Sequence, residues 1–330
     1  MEVEKLDEIY VPLYPYVDNV REKQPKPKTE LDKRIEELIK RYDPERLRRG
    51  MRLFVRVTKL SKEGLTEYIQ KQRDLPEEER DKYCGLAQSV LYSKKKLEGK
   101  HRNDLDLLNF DLPWGGSFLE FDEPREAKEA KFFGDYAGIG TEFSGPYSGE
   151  KAIFKGEYSG AYMEVSGANA GREMEFYGWC AGYRAKFSGA NSGREAKFWG
   201  KESGYEIVIS GANAGKEISF HPCSGVGAVF SGFRSGKRAV LRGEDHRETG
   251  RGMKLTGAHA GTEMRILGTA GRRMEISGCR AGEGILFVRL RHGEINICGY
   301  RAGERIRCTK KPLLEIELEE EQNKIKIKAD

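Results

Sequence analysis

Apolar and polar positions divide this chain into a helical front and a long strand-like remainder. From Thr29, the stretch TELDKRIEELIKRY places Leu31, Ile35, Leu38 and Ile39 on one helical face with Thr29 as N-cap. A second start follows at Asp43-Pro44-Glu45, a cap residue ahead of a proline in the first turn. Two more helices are predicted over Lys62–Arg73 and Pro76–Leu97, the second entered through acids and left through SKKKLEGK, as the helix dipole favours. Past residue 103 the helical period fades, and Leu119, Phe121 and Phe132 take strand-like positions.

From Gly167 to Phe220 one short pattern is written five times: GANAGREMEFY, GWCAGYRAKFS, GANSGREAKFW, GKESGYEIVIS, GANAGKEISF. Glycines recur at 167, 178, 189, 200 and 211, with partners at 171, 182, 193, 204 and 215, a strict period of eleven. The first, third and fifth copies share GAN[AS]G, so the unit is a pair of copies, twenty-two residues long. Looser copies reach back to Gly134 and forward, with slips, to Cys308. Periodicity on this scale means a stacked architecture.

Within each copy, residues one, three and five places after the second glycine are expected to be buried: Arg172, Met174 and Phe176, then Tyr183, Ala185 and Phe187, then Arg194, Ala196 and Phe198, then Tyr205, Ile207 and Ile209. The intervening Glu173, Glu175, Arg184 and Lys186 face water. Asn169, Asn191 and Asn213, twenty-two apart, are expected to stack as an internal hydrogen-bonded ladder. The tail PLLEIELEEEQNKIKIKAD alternates Leu314, Ile316 and Leu318 with acids, then Ile325 and Ile327 with lysines, a β-hairpin pattern.

The expected fold is mainly β: a β-solenoid (β-helix) of about eight 22-residue coils with two short strands each, preceded by a small α-helical region and closed by a C-terminal β-hairpin. Residues 1–28 form an extended aromatic and proline-rich arm, 29–103 a basic helical region, and 104–133 an N-terminal cap with Trp114 as its plug. Residues 134–309 are the solenoid and 310–330 the hairpin. GANAG and its relatives resemble the glycine-cornered β-helix of the glutamate synthase C-terminal domain and of the formylmethanofuran dehydrogenase chain that shares it. The resemblance covers Gly134 to Cys308 and implies an architecture, with no functional residue carried over.

Composition then limits the chemistry. The 330 residues are 34% charged with a formal net charge of +5, a salted surface and not a polycation. No apolar run approaches the twenty residues or so that span a bilayer, and MEVEKLDEIY has no signal-peptide pattern, so no membrane role and a cytoplasmic location are expected. The six cysteines form no CxxC pair and only Cys223 has a histidine close by, His221, so no metal or cofactor site is written here. Glutamine appears five times against a great excess of Lys, Arg and Glu, a bias of hyperthermophile, and so archaeal, proteins.

Four stretches carry candidate function. Lys40, Arg41, Arg46, Arg48, Arg49, Arg52, Arg56 and Lys59 make a basic helical segment that either suits phosphates or is a solvated face balanced by Glu77, Glu78, Glu79 and Asp81, and Lys94, Lys95 and Lys96 make a second basic cluster that the helix end explains equally well. Tyr10, Leu13, Tyr14 and Tyr16 form a docking arm or pack on the protein's own core. Asp245, His246, Arg247 and Glu248 sit in a corner that swells to fourteen residues between Gly243 and Gly257. The expectation is a non-enzymatic scaffold that docks on a large partner such as a ribosome-like RNA–protein assembly, with homodimerisation through the hairpin or the arm. The alternative is a β-helical enzyme or enzyme subunit working along a solenoid face or at the 243–257 loop. The outward rows are read as lacking an aromatic platform, and as holding Glu, Lys and Arg where an ice-binding face needs ranks of hydroxyls.

Overall fold

The computed structural model describes residues 58–81, 83–97, 99, 108–243, 249–288, 293–309, 314–319 and 324–329. Each eleven-residue copy contributes one short strand, and successive strands lie on opposite walls. The odd-numbered strands, from β1 (Asn109–Phe110) to β19 (Arg307–Thr309), therefore form a parallel sheet of ten. The even-numbered strands, from β2 (Glu120–Phe121) to β18 (Gly293–Cys298), form the facing sheet, which the terminal hairpin extends to eleven. One coil thus consumes a pair of copies, as the alternation of GAN[AS]G with the other corners requires.

The register records how strictly the period is kept. Glu175 pairs with Lys197 and Lys197 with Ser219, steps of twenty-two, whereas Ser219 pairs with Val240, a step of twenty-one. One coil takes twenty-five, Val240 to Arg265 on one wall and Val229 to Lys254 on the other, and the next returns to twenty-one at Leu286. The longer step leaves the pairing of the strands on either side of it intact.

Inside, the phenylalanines of the odd sheet stack directly upon each other. Ring centroids of Phe110, Phe132, Phe154, Phe176, Phe198 and Phe220 follow at 5.0, 4.5, 5.0, 4.6 and 5.2 Å. Met174 and Phe176 are buried as expected, but the third inward position is Ala170, ahead of the second glycine. Arg172, Tyr183, Arg194 and Tyr205 stand half-exposed. The cause is backbone conformation: Glu173, Arg184, Glu195 and Glu206 hold φ of 57, 52, 62 and 53°, still in the left-handed turn, so strand alternation begins one residue later.

The asparagines are also reassigned. Asn169, Asn191 and Asn213 are half-buried with φ of 55, 56 and 55°, a conformation asparagine tolerates well. What stacks is their backbone, Asn169 N–H donating to Ala190 O and Asn191 N–H to Ala212 O, both at 2.9 Å. The glycine that opens each corner answers to contact: a Cβ on Gly189 would lie 2.3 Å from Gly167 O in the coil below.

The open first coil is closed by helices. Helix α1 (Lys62–Asp74) is capped by Ser61, whose hydroxyl accepts from Gly64 N–H at 3.1 Å. Helix α2 runs only over Leu86–Leu97, because Glu77–Glu79 makes a single 3-10 turn where the sequence pattern starts a helix at Pro76. Leu65, Ile69, Cys84, Ala87, Val90, Leu91 and Tyr92 join one apolar core with Phe110 and Phe121. Tyr92 meets both rings edge-on and donates to the buried Glu126 at 2.6 Å, which also receives Lys96 at 2.9 Å. The helix pair is accordingly the plug, while Trp114 sits in the first coil's corner, stacked on Tyr136 at 5.0 Å.

At the far end, strands β20 (Leu314–Glu319) and β21 (Lys324–Ala329) reverse direction, β21 pairing antiparallel with β18. Their register sets Glu315, Glu317 and Glu319 opposite Lys328, Lys326 and Lys324. Ile327 is buried against the last coils. Among the described residues, no helix is long and apolar enough to cross a membrane.

Candidate functional site: a basic groove along one corner

Two kinds of corner join the sheets. The one that leads from an even strand to the next odd strand, GANAGRE and its equivalents, carries a run of ion pairs down its outer edge. Arg172 reaches Glu195 at 3.9 Å, Arg194 reaches Glu217 at 3.4 Å, and Arg238 holds Glu263 at 2.6 Å and Glu217 at 3.5 Å. Arg238's hydrogen bond keeps the Glu263 carboxyl below its ordinary range. Each exposed pair contributes little to stability, about 0–1 kcal/mol, but the line fixes where positive charge is cancelled.

Toward the C-terminal end the cancellation fails. A groove of about 800 Å³ opens beside this corner, lined by Arg234, Lys237, Arg238, Arg265, Arg305 and Arg307 against only Glu217, Glu263 and Glu283. Lys237 pairs with Glu263 at 3.4 Å and Arg305 with Glu283 at 3.9 Å, so the three carboxylates are already engaged. Arg265 and Arg307 have no ion pair among the described residues. The ladder Val240, Arg265, Leu286, Arg307 alternates apolar and cationic side chains along the floor. At about 4.8 Å per strand, the backbone positions of Arg265 and Arg307 stand roughly 10 Å apart.

The sequence-derived candidates fall elsewhere. The arm residues Tyr10, Leu13, Tyr14 and Tyr16, the basic residues Lys40, Arg41, Arg46, Arg48, Arg49, Arg52 and Arg56, and the loop residues Asp245, His246, Arg247 and Glu248 all lie outside the described residues. Lys59 is exposed just before α1. Lys94 donates to Leu60 O at 2.6 Å, and Lys96 to Glu120 O at 2.8 Å and Asp122 Oδ1 at 2.6 Å. These ammonium groups hold α2 to its surroundings. Lys95 is half-buried on the same turn. The groove residues were missed because their copies read only as slips in the period. The available signal was the change at the turn from GREMEF to GKRAVL and GERIRC, where outward acids give way to arginines.

The outer faces differ from expectation in two ways. Aromatic ladders do exist: Tyr136 on Tyr158 at 5.6 Å, Tyr183 on Tyr205 at 5.6 Å, and Tyr177, Trp199 and His221 in one stack. On the even sheet, Ser210, Ser231, Thr256 and Ser277 stand in register as a single file of hydroxyls beside the row Val208, Val229, Lys254 and Glu275. The hydroxyl file and the stack of Tyr177, Trp199 and His221 lie at the outward position that ends or directly follows each strand, whereas the tyrosine pairs stand on the corners.

Catalytic vocabulary on the described solenoid is thin. Ser219 Oγ lies 3.3 Å from His221 Nε2, and burial, with Arg242 and Lys197 nearby, lowers the imidazole pKa to about 4. The ring is stacked on Trp199, and no carboxylate orients it among the described residues. Burial pushes the Cys84 thiol up to about 12 and Cys180 to about 11, away from nucleophilic range. Among the described residues, no three His, Cys, Asp or Glu side chains gather as a metal site.

Fold and groove together define a two-walled parallel β-solenoid with one net-cationic edge. No family model, no curated protein and no solved structure matches the chain.

Proposed function

We propose that this protein is a non-enzymatic scaffold whose basic groove docks a polyanionic partner, of the kind an RNA–protein assembly presents. The observation that carries this is the pair Arg265 and Arg307, two guanidinium groups on a groove floor whose carboxylates are all paired with other cations. An arginine so placed is pre-organised for bidentate contact with phosphate or carboxylate. The solenoid keeps these groups at fixed spacing, since their strands are locked into one ladder.

Charge reversal at Arg265 and Arg307 tests it. Binding to RNA-containing particles should weaken, and the slope of log affinity against log salt should flatten by roughly one for each contact removed. Unchanged affinity and slope in the double variant sinks the proposal. The same measurement on charge reversal at Arg48, Arg49, Arg52 and Arg56 asks whether the basic segment adds to the docking.

A further inference from the structure

A polyanion reading asks only for negative charge, but the rim of the groove narrows the class of ligand. At this corner, the residue directly after the first glycine is small in coil after coil: Ala168, Ala190, Ala212, Ala258 and Cys279. Two coils break the rule with Phe233 and Tyr300, which are 47% and 69% exposed. Phe233's neighbours Arg234 and His259 line the groove itself, and Tyr300 opens the corner whose Arg305 lines it further along. The two rings stand three strand spacings apart, about 14 Å, with small residues between them.

Tyr136 with Tyr158, Tyr183 with Tyr205, and Tyr177 with Trp199 and His221 stack ring on ring along the coils, so those faces are covered. Phe233 is different: it meets His259 edge-on at 5.8 Å, and the Arg234 guanidinium lies 4.8 Å from its centroid. Tyr300 has no ring contact among the described residues. An apolar ring left in water beside a cationic groove is not needed by the core, whose inward positions are already filled. Exposed rings beside a track of cations are what unpaired nucleotides require, the rings taking base faces and the arginines taking phosphates.

We infer that the groove binds single-stranded nucleic acid, with bases stacked on Phe233 and Tyr300 and the phosphates running past Arg265 and Arg307; this rests on the polyanion reading above. A duplex of equal charge keeps its bases paired and cannot offer their faces to the rings. An acidic peptide matches the arginines but not the rings.

The test is fluorescence anisotropy with the full chain and a labelled oligouridylate of about twelve nucleotides. Duplex RNA of the same length and polyglutamate serve as competitors at the same salt. Oligouridylate should bind tighter than either competitor, and Phe233→Ala and Tyr300→Ala should each weaken it by about five- to a hundredfold. Phe233→Tyr should restore most of the loss. Because neither ring belongs to the apolar core, the variants should melt with the parent protein, which excludes misfolding as the cause. If the ring variants bind like the parent while Arg265→Glu with Arg307→Glu does not, base stacking is refuted and charge-driven docking survives. Equal or tighter binding of duplex or polyglutamate also overturns the inference. If the parent binds none of the three at low salt, both readings fall.

Discussion

Single residues in this stack are judged against their equivalents one coil away. The inward corner position is alanine at 170 and 214 but serine at 148, 192, 203 and 235, and these four buried hydroxyls have no hydrogen-bond partner among the described residues. A buried hydroxyl that has given up water and gained nothing is a net cost. Ser192→Ala, which copies the coil on either side, should therefore raise stability by about 1 kcal/mol in a urea titration. A titratable residue shows the same dependence on burial. The folded protein keeps His221 neutral down to about pH 4, while the unfolded chain takes up a proton below its ordinary value of 6.5. The contribution is complete above that value, declines as pH falls toward about 4 and then levels off, a loss of up to about 3 kcal/mol. His221→Phe keeps a ring on Trp199 and should remove this part of the acid sensitivity in denaturation curves taken across the window.

Between elements, the decisive joint is the one where the helix pair meets the first coil. Tyr92, Lys96 and Glu126 form a small polar knot under Phe110 and Phe121, with Glu126 almost fully enclosed. Tyr92→Phe should cost roughly 1–2 kcal/mol and Lys96→Met about 3 kcal/mol, the second being worse because it leaves an enclosed carboxylate without its counter-charge. Thermal melting of the two variants checks the order. Little of this joint could be read beforehand. The pattern named α1 to within a residue, yet Pro76 and three glutamates suggested a helix start that the chain postpones to Leu86. The coils were far more legible, since glycine spacing and two-residue alternation are local signals. Only the first residue of each inward row was misplaced, Arg172 standing where Ala170 takes the buried position, because the left-handed turn at Glu173 and its equivalents leaves no trace in residue type. The groove was the least legible feature. Arg238, Arg265 and Arg307 come together only through a register that shortens and once lengthens, which no fixed period would align.

For the molecule as a whole, the two ends pose unequal problems. Helices cover one end, whereas the other is closed by a hairpin that turns the even sheet antiparallel and leaves β20 as its outermost strand. Removing residues 310–330 should bare β18 and the last inward residues, and sedimentation should then show concentration-dependent association of an otherwise monodisperse chain. An intact chain that is already dimeric, and that turns monomeric on this deletion, would instead make the hairpin a dimer interface. Down the length of the stack, the backbone amides alternate in direction. Asn169 and Glu173 donate to the coil ahead, while Gly171 and Glu175 donate to the coil behind. Peptide dipoles therefore cancel in pairs, and unlike a helix of similar length the stack has no charged poles. Its electric field is written entirely by side chains on the outer rows, so exchanging those residues can re-aim the field without touching the fold.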